Sequence, residues 1–166
     1  MQLNDKGSIL ITTILIFSII STICMMCIGL NFSNENIFNL EYKNITLKEE
    51  SLSGIEIVHS NILKEVDNAI KSTINEEEFN SYFMDLKFTS SIKNISMSNL
   101  ENVTISVSNK IVIDNNILKF NIISTAKDRN YIKKNQASVK IINPFIYSDN
   151  EVDKNRLVIV YDYKEI

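Results

Sequence analysis

Residues 8–30 read SILITTILIFSIISTICMMCIGL. Asp5 and Lys6 are the only charged side chains before Glu35, so residues 8–34 form an unbroken uncharged run. As a helix, the 23 residues of 8–30 span about 34 Å at 1.5 Å each, against a hydrocarbon core of about 30 Å. Twelve of them are Ile, Leu or Phe, each favouring the bilayer centre by about 0.3–0.6 kcal/mol. The interspersed Ser and Thr cost far less than charges would. This is a membrane segment. A cleaved secretory signal would have a basic leader, a shorter apolar stretch and a small-x-small exit. A lipoprotein signal needs small residues just before its cysteine, whereas Cys24 follows Thr22-Ile23 and Cys27 follows Met25-Met26. What remains is a retained helix with a short polar leader.

Beyond the membrane segment, apolar positions continue at helical spacing: Phe38, Ile45, Leu52, Ile55, Ile62, Val66 and Ala69. Steps of three, four and seven place them on one stripe. Glu41, Lys43, Lys48, Glu49, Glu50, Glu56, Lys64 and Glu65 make the solvated face. Asn44 and the Thr46-x-x-Glu49 pattern could cap a fresh start, which leaves a break near residue 44 open. A juxtamembrane coiled coil is the alternative for this stretch, although the stripe is too irregular for strict heptads.

The long helix should end near Thr73–Ile74. Asn75 followed by Glu76, Glu77 and Glu78 reads as the start of a short second helix: an N-cap, a Glu at N3, and carboxylates favoured by the helix dipole. Phe79, Tyr82, Phe83 and Leu86 give that helix an apolar face. From about residue 88 the period becomes two. Val103, Ile105 and Val107 alternate with polar residues; Ile111 with Ile113, then Leu118, Phe120 and Ile122, then Ala137, Val139 and Ile141 follow. Asn109-Lys110, Asp114-Asn115-Asn116 and residues 127–130 are the turns between them. Pro144 should end its strand, and residues 157–161 (LVIVY) read as a last, buried strand. The expected fold is α+β: a long N-terminal helix, membrane-spanning in its first half, packed on an antiparallel β-meander. The expected division is 1–7 leader, 8–30 membrane helix, 31–74 amphipathic continuation, and 75–166 short helix with β domain.

Composition narrows the chemistry. The 166 residues carry a net charge of −3, so the basic excess that marks nucleic-acid binding is missing. The three glycines are Gly7, Gly29 and Gly54, which form no phosphate-cradling loop. The one histidine, His59, stands alone on the amphipathic stretch. Cys24 and Cys27 lie in the apolar run, away from the water-accessible setting that C-x-x-C redox chemistry needs. Asp149, Glu151, Asp153 and Asp162 match no calcium-loop spacing and read as a solvated turn. No catalytic residue, cofactor site, metal site or small-molecule ligand is expected, and an enzyme would need a site built from scattered Ser, Asp or Tyr.

The leader carries the most specific signal. Lys6-Gly7-Ser8 stands directly at the polar-to-apolar boundary. Lys-Gly there resembles the prepilin peptidase site of type IV pilins and type II secretion pseudopilins. An endopeptidase at the membrane face needs an extended, unhindered backbone, which glycine permits. The stretch from Lys6 to Gly54, KGSILITTILIFSIISTICMMCIGLNFSNENIFNLEYKNITLKEESLSG, resembles the N-terminus of PilX-type minor pilins. The resemblance implies a pilin-like fold, cleavage after Gly7, methylation of the new amine at Ser8, and a filament core built from Ile9, Leu10, Ile14, Phe17, Ile20 and Ile23.

It also implies its partners: the membrane, the prepilin peptidase and other pilin or pseudopilin subunits. The departures are a first mature residue of Ser8 rather than Phe, and Thr12 where the family carries a glutamate at the fifth mature position. A buried carboxylate without a partner is costly, so threonine there suits a tip or initiating subunit. The N-terminus is expected in the cytoplasm and the C-terminal domain outside it. The competing reading is an unprocessed single-pass protein with an extracytoplasmic sensor or scaffold domain.

Overall fold

The computed structural model describes residues 5–95, 100–108, 111–146 and 154–166, without the side chains of 5, 6, 154 and 155. The leader residues 1–4, the Asn109-Lys110 turn, and Asp149, Glu151 and Asp153 lie outside the described residues. The chain divides into two compact units, Met1–Lys43 and Asn44–Ile166. One helix, α1 (Asp5–Ser72), contributes to both and runs through Asn44 without a break.

Within the second unit, α1 packs against the inner face of a five-stranded antiparallel sheet. The strands are β1 (Val103–Val107), β2 (Val112–Asp114), β3 (Ile117–Asp128), β4 (Tyr131–Ile142) and β5 (Val158–Glu165), in the order β1-β3-β4-β5. β2 also pairs with β3, so β1 and β2 share one edge of that long strand. The α+β expectation holds.

The side chains of α1 that reach the core are Leu47, Ile55, Val58, Ile62, Val66 and Ala69, all buried. Sequence spacing had included Phe38 and Ile45 in this stripe, but both are exposed; buried contacts begin at Leu47. Opposite the helix lie Leu118, Phe120 and Ile122 of β3 and Ala137, Val139 and Ile141 of β4, each pair in register.

Two small residues set how closely helix and sheet approach. Ser51 donates its hydroxyl to the Ser124 carbonyl at 2.9 Å. A Cβ at Gly54 would run into Ser124 Oγ and come within 2.9 Å of Val103 Cγ1. Here glycine is required by space. Beside this contact, buried Ser124 Oγ and Asn135 Nδ2 have no hydrogen-bond partner, and they face each other across β3 and β4.

The expected second helix is present. In α2 (Glu76–Met84), Glu78 N–H donates to Asn75 Oδ1 at 2.8 Å, and the Glu78 carboxylate accepts from Ile74 N–H at 3.1 Å. It ends earlier than expected. Asp85 is extended and accepts from Lys87 N–H at 3.1 Å, restarting the chain as α3 (Leu86–Ile92). The switch to strand period therefore comes at Val103 rather than near residue 88. Leu86, expected on the apolar face, is 81% exposed; Phe88 and Ile92 are the buried residues of α3. Phe79, Phe83, Phe88 and Phe120 form a run of tilted and edge-on ring contacts with centroids 4.8–5.9 Å apart.

Two connections have clear local causes. Asn115 and Asn116 both adopt positive φ, which closes the β2–β3 hairpin tightly; Arg129 takes the same sign in the β3–β4 turn. After β4, Pro144 opens a single 3-10 turn (Pro144–Ile146), as its missing N–H requires. Buried Asn143 anchors this corner, donating to the Glu76 carbonyl and Asn80 Oδ1 and accepting from Phe145 N–H.

The last strand departs from expectation. Leu157 and Val158 are buried, but Leu157 closes the one-turn helix α4 (Lys154–Leu157) and Ile159 is 43% exposed. β5 is an edge strand, covered on one side only by β4. Between Tyr161 and Lys164 it carries one residue more than β4 does, a bulge with Asp162 at φ 55°.

Candidate functional site

The segment singled out by sequence begins inside α1. Lys6, Gly7 and Ser8 lie within α1; the extended backbone expected around Gly7 is not the conformation adopted. Nothing comes within 4 Å of a Cβ placed at Gly7 or at Gly29.

From residue 9 to residue 30 the large apolar side chains are exposed, between 51% at Ile19 and 74% at Phe17. Ile9, Leu10, Ile14, Phe17, Ile20 and Ile23 fall on one half of the helix by its 3.6-residue turn. Ile11, Ile16, Ile19 and Ile28 are exposed as well. A helix that is apolar all round needs an apolar surrounding on every side. By length and composition, α1 contains one stretch able to cross a membrane, and none of it is buried in the chain's own fold.

The polar side chains in this stretch are turned inward on their own backbone. Thr12 Oγ1 donates to the Ser8 carbonyl at 2.9 Å, Thr13 Oγ1 to Ile9, and Thr22 Oγ1 to Ser18 at 2.8 Å. Such back-bonding lets a hydroxyl enter lipid without an unpaired donor. Thr12 is therefore satisfied within its own helix, without a charge or a neighbouring chain. Cys24 and Cys27 are free and exposed on the same helix.

Sequence reasoning missed the most developed polar arrangement in the second unit. Glu65, assigned to the solvated face, accepts from Tyr82 OH at 2.7 Å through one oxygen and from Ser91 Oγ at 2.6 Å through the other. This ties α1 to α2 and α3 at the wall of an open groove of about 810 Å³. Burial, then the hydrogen bond to Glu65, pushes the Tyr82 phenol up to about 12. A phenol held protonated and a carboxylate occupied at both oxygens are a clamp rather than an acid–base pair. The signal lay in the spacing of Tyr82 and Ser91, but the pairing depends on α3, which the sequence did not announce.

His59 is half-buried on α1. Asp162 serves the β5 bulge and lies 3.7 Å from Lys164 Nζ. Among the described residues, no three His, Cys, Asp or Glu side chains gather as a metal set. No protein-family model matches the chain, and no curated protein or solved structure matches it either.

Proposed function

We propose that the chain is a minor subunit of a type IV pilus or pseudopilus, made as a single-pass membrane precursor and processed after Gly7. The observation that carries this reading is the uncovered apolar stretch of α1, continuous in one helix with the residues that build the core of the second unit. A helix of this kind serves two surroundings in turn. In the bilayer its side chains face lipid; in a filament they face the same stretch of neighbouring subunits. Thr12, bonded to Ser8 and uncharged, moves between the two without a buried carboxylate to neutralise, which suits a tip or initiating position. The activity is assembly. The partners are the membrane, a prepilin peptidase and sister subunits.

Intact-mass measurement of the protein from its native membrane tests the proposal. A species beginning at Ser8 with a methylated amine is expected, and Gly7→Val should leave the precursor uncut. A native species that retains Met1 overturns processing. It would leave the second reading, a permanently anchored sensor or scaffold, which one observation favours: the Gly7–Ser8 bond is wound into α1 rather than presented as an extended strand.

A further inference from the structure

Within the second unit, α1 takes the inner face of the sheet. Leu118, Phe120, Ile122, Ser124 and Ala126 of β3 point inward and are buried, so the alternate residues of the strand point outward. By register, the outer face carries Lys119 and Lys127 of β3, Lys134 and Lys140 of β4, and Lys164 of β5. These five lysines meet no carboxylate at the outward positions of the same three strands. Two acids answer them from beside the face: Asp114 of β2, 2.6 Å from Lys119, and Asp162 of the bulge, 3.7 Å from Lys164. The turn adds one charge of each sign, Asp128 and Arg129. Lys119 and Lys140 stand directly opposite each other, and Lys127 and Lys134 are diagonal neighbours next to the turn. Like charges so placed work against the sheet, so folding alone does not account for them.

The helical layer of the unit has the opposite sign. Residues 44–95, which hold α2, α3 and the part of α1 that packs on the sheet, carry five lysines against nine acids, a net of −4 (5 − 9). Residues 96–166 carry ten cations against eight acids, a net of +2 (10 − 8). Two lysines of the helical layer are already engaged, Lys48 by Glu165 and Lys71 by Asp67. Glu49 and Glu56, seven residues apart on one face of α1, are exposed, as are Glu77 and Glu78 of α2.

We infer that the outer face of the sheet is a docking surface for the acidic helical layer of a second copy of this chain. Charge complementarity between two faces of one unit carries the inference. The contact is head-to-tail: the sheet of one copy meets the helices of the next, which builds rings or open rows rather than symmetric pairs. Both faces belong to the second unit, so the contact needs neither membrane insertion nor processing. Each exposed ion pair favours contact at most about fivefold, and three together at most about a hundredfold. High salt screens such pairs.

A photocrosslinking residue in place of Gln136, between Ile123 and Lys164 on the outer face, reads the contact in the full chain held in a nonionic detergent. The expected product joins position 136 of one copy to residues 44–95 of another, forms at low salt and is lost at high salt. Reversing the sheet face (Lys127→Glu, Lys134→Glu, Lys140→Glu) should abolish it. Reversing the helical layer (Glu49→Lys, Glu56→Lys, Glu77→Lys) should abolish it too. Mixing the two reversed chains should restore it, because each then offers the other a face of opposite sign. A product that joins two sheets, a yield indifferent to salt, reversed chains that crosslink as the parent does, or a mixture no better than either alone overturns the inference. Capture of added polyglutamate by a face that yields no chain-to-chain product also overturns it, by assigning the face to a different acidic protein. Tyrosine dichroism checks that the reversed chains fold; if either does not, the site and salt dependence of the parent crosslink decide.

Discussion

Gly54 offers the sharpest test of how the helix meets the sheet. Gly54→Ala brings two opposed effects. Exchanging glycine for alanine inside a helix is worth about 1 kcal/mol in its favour. Against it, the new methyl would stand 2.9 Å from Val103 Cγ1 and 3.2 Å from Ile105 Cδ1, and would overlap Ser124 Oγ. Carbon contacts settle at about 3.5–4.0 Å, so β1, which carries both Val103 and Ile105, must give way by several tenths of an ångström. Overpacking of this kind costs about 1–3 kcal/mol.

The Ser124 hydroxyl can rotate without losing a hydrogen bond, since it makes none, but the Val103 methyl belongs to a branched side chain fixed by its strand. Packing should win. We expect Gly54→Ala to destabilise by about 1 kcal/mol and Gly54→Val by about 3 kcal/mol, read from urea midpoints of the full chain in detergent by near-UV tyrosine dichroism. Ser124→Ala should be neutral or stabilising, because it removes an unpartnered buried hydroxyl. In that background the cost of Gly54→Ala should shrink by about 0.5–1 kcal/mol, a coupling measured by a double-mutant cycle. A higher midpoint for Gly54→Ala alone, or no coupling to Ser124, would refute the close approach.

Other outcomes follow from single contacts. Asn143→Leu leaves Phe145 N–H and the Glu76 carbonyl without their buried partner and should cost about 2–3 kcal/mol in the same assay. Of the six tyrosines, Tyr82 should be among the last to ionise in a spectrophotometric titration, at about 12, and Glu65→Gln should bring it down toward 10.0. Because its folded pKa is raised, the stability that it contributes is complete below pH 10.0 and is lost as pH rises through about 12. In the membrane stretch, one lysine near the centre costs about 2.5–3.5 kcal/mol against a total of about 4–7 kcal/mol from its Ile, Leu and Phe residues. Phe17→Lys alone should therefore still resist alkaline extraction, and Phe17→Lys with Ile20→Lys should not.

Features governed by local chemistry were legible in the sequence. The uncharged run of residues 8–34, the Asn75–Glu78 cap, the Asn115-Asn116 turn and the alternation of Leu118, Phe120 and Ile122 each state their structure within a few residues. What could not be read depends on distant partners. Phe38 and Ile45 keep the helical phase of the stripe yet are exposed, so phase alone could not mark where burial begins. Asp85 looks like any helix-end acid until its side chain is seen to start α3. LVIVY has the composition of a central strand, and only pairing order shows that β5 has a neighbour on one side. Of the candidate site, the apolar stretch and Thr12 were legible; the inward bonding of its hydroxyls and the Glu65 clamp depend on the folded backbone and on α3.

The bulge at Asp162 has a consequence for any two copies that meet edge to edge. A strand from another chain seeking the open side of β5 finds four regular residues, Val158 to Tyr161, before the backbone turns aside into a charged stretch. At the opposite border the five residues of β1 are the longest straight run. Neither border is a long enough template to seed cross-β stacking. Two copies that meet at these borders therefore find no long, regular edge on which their sheets could fuse.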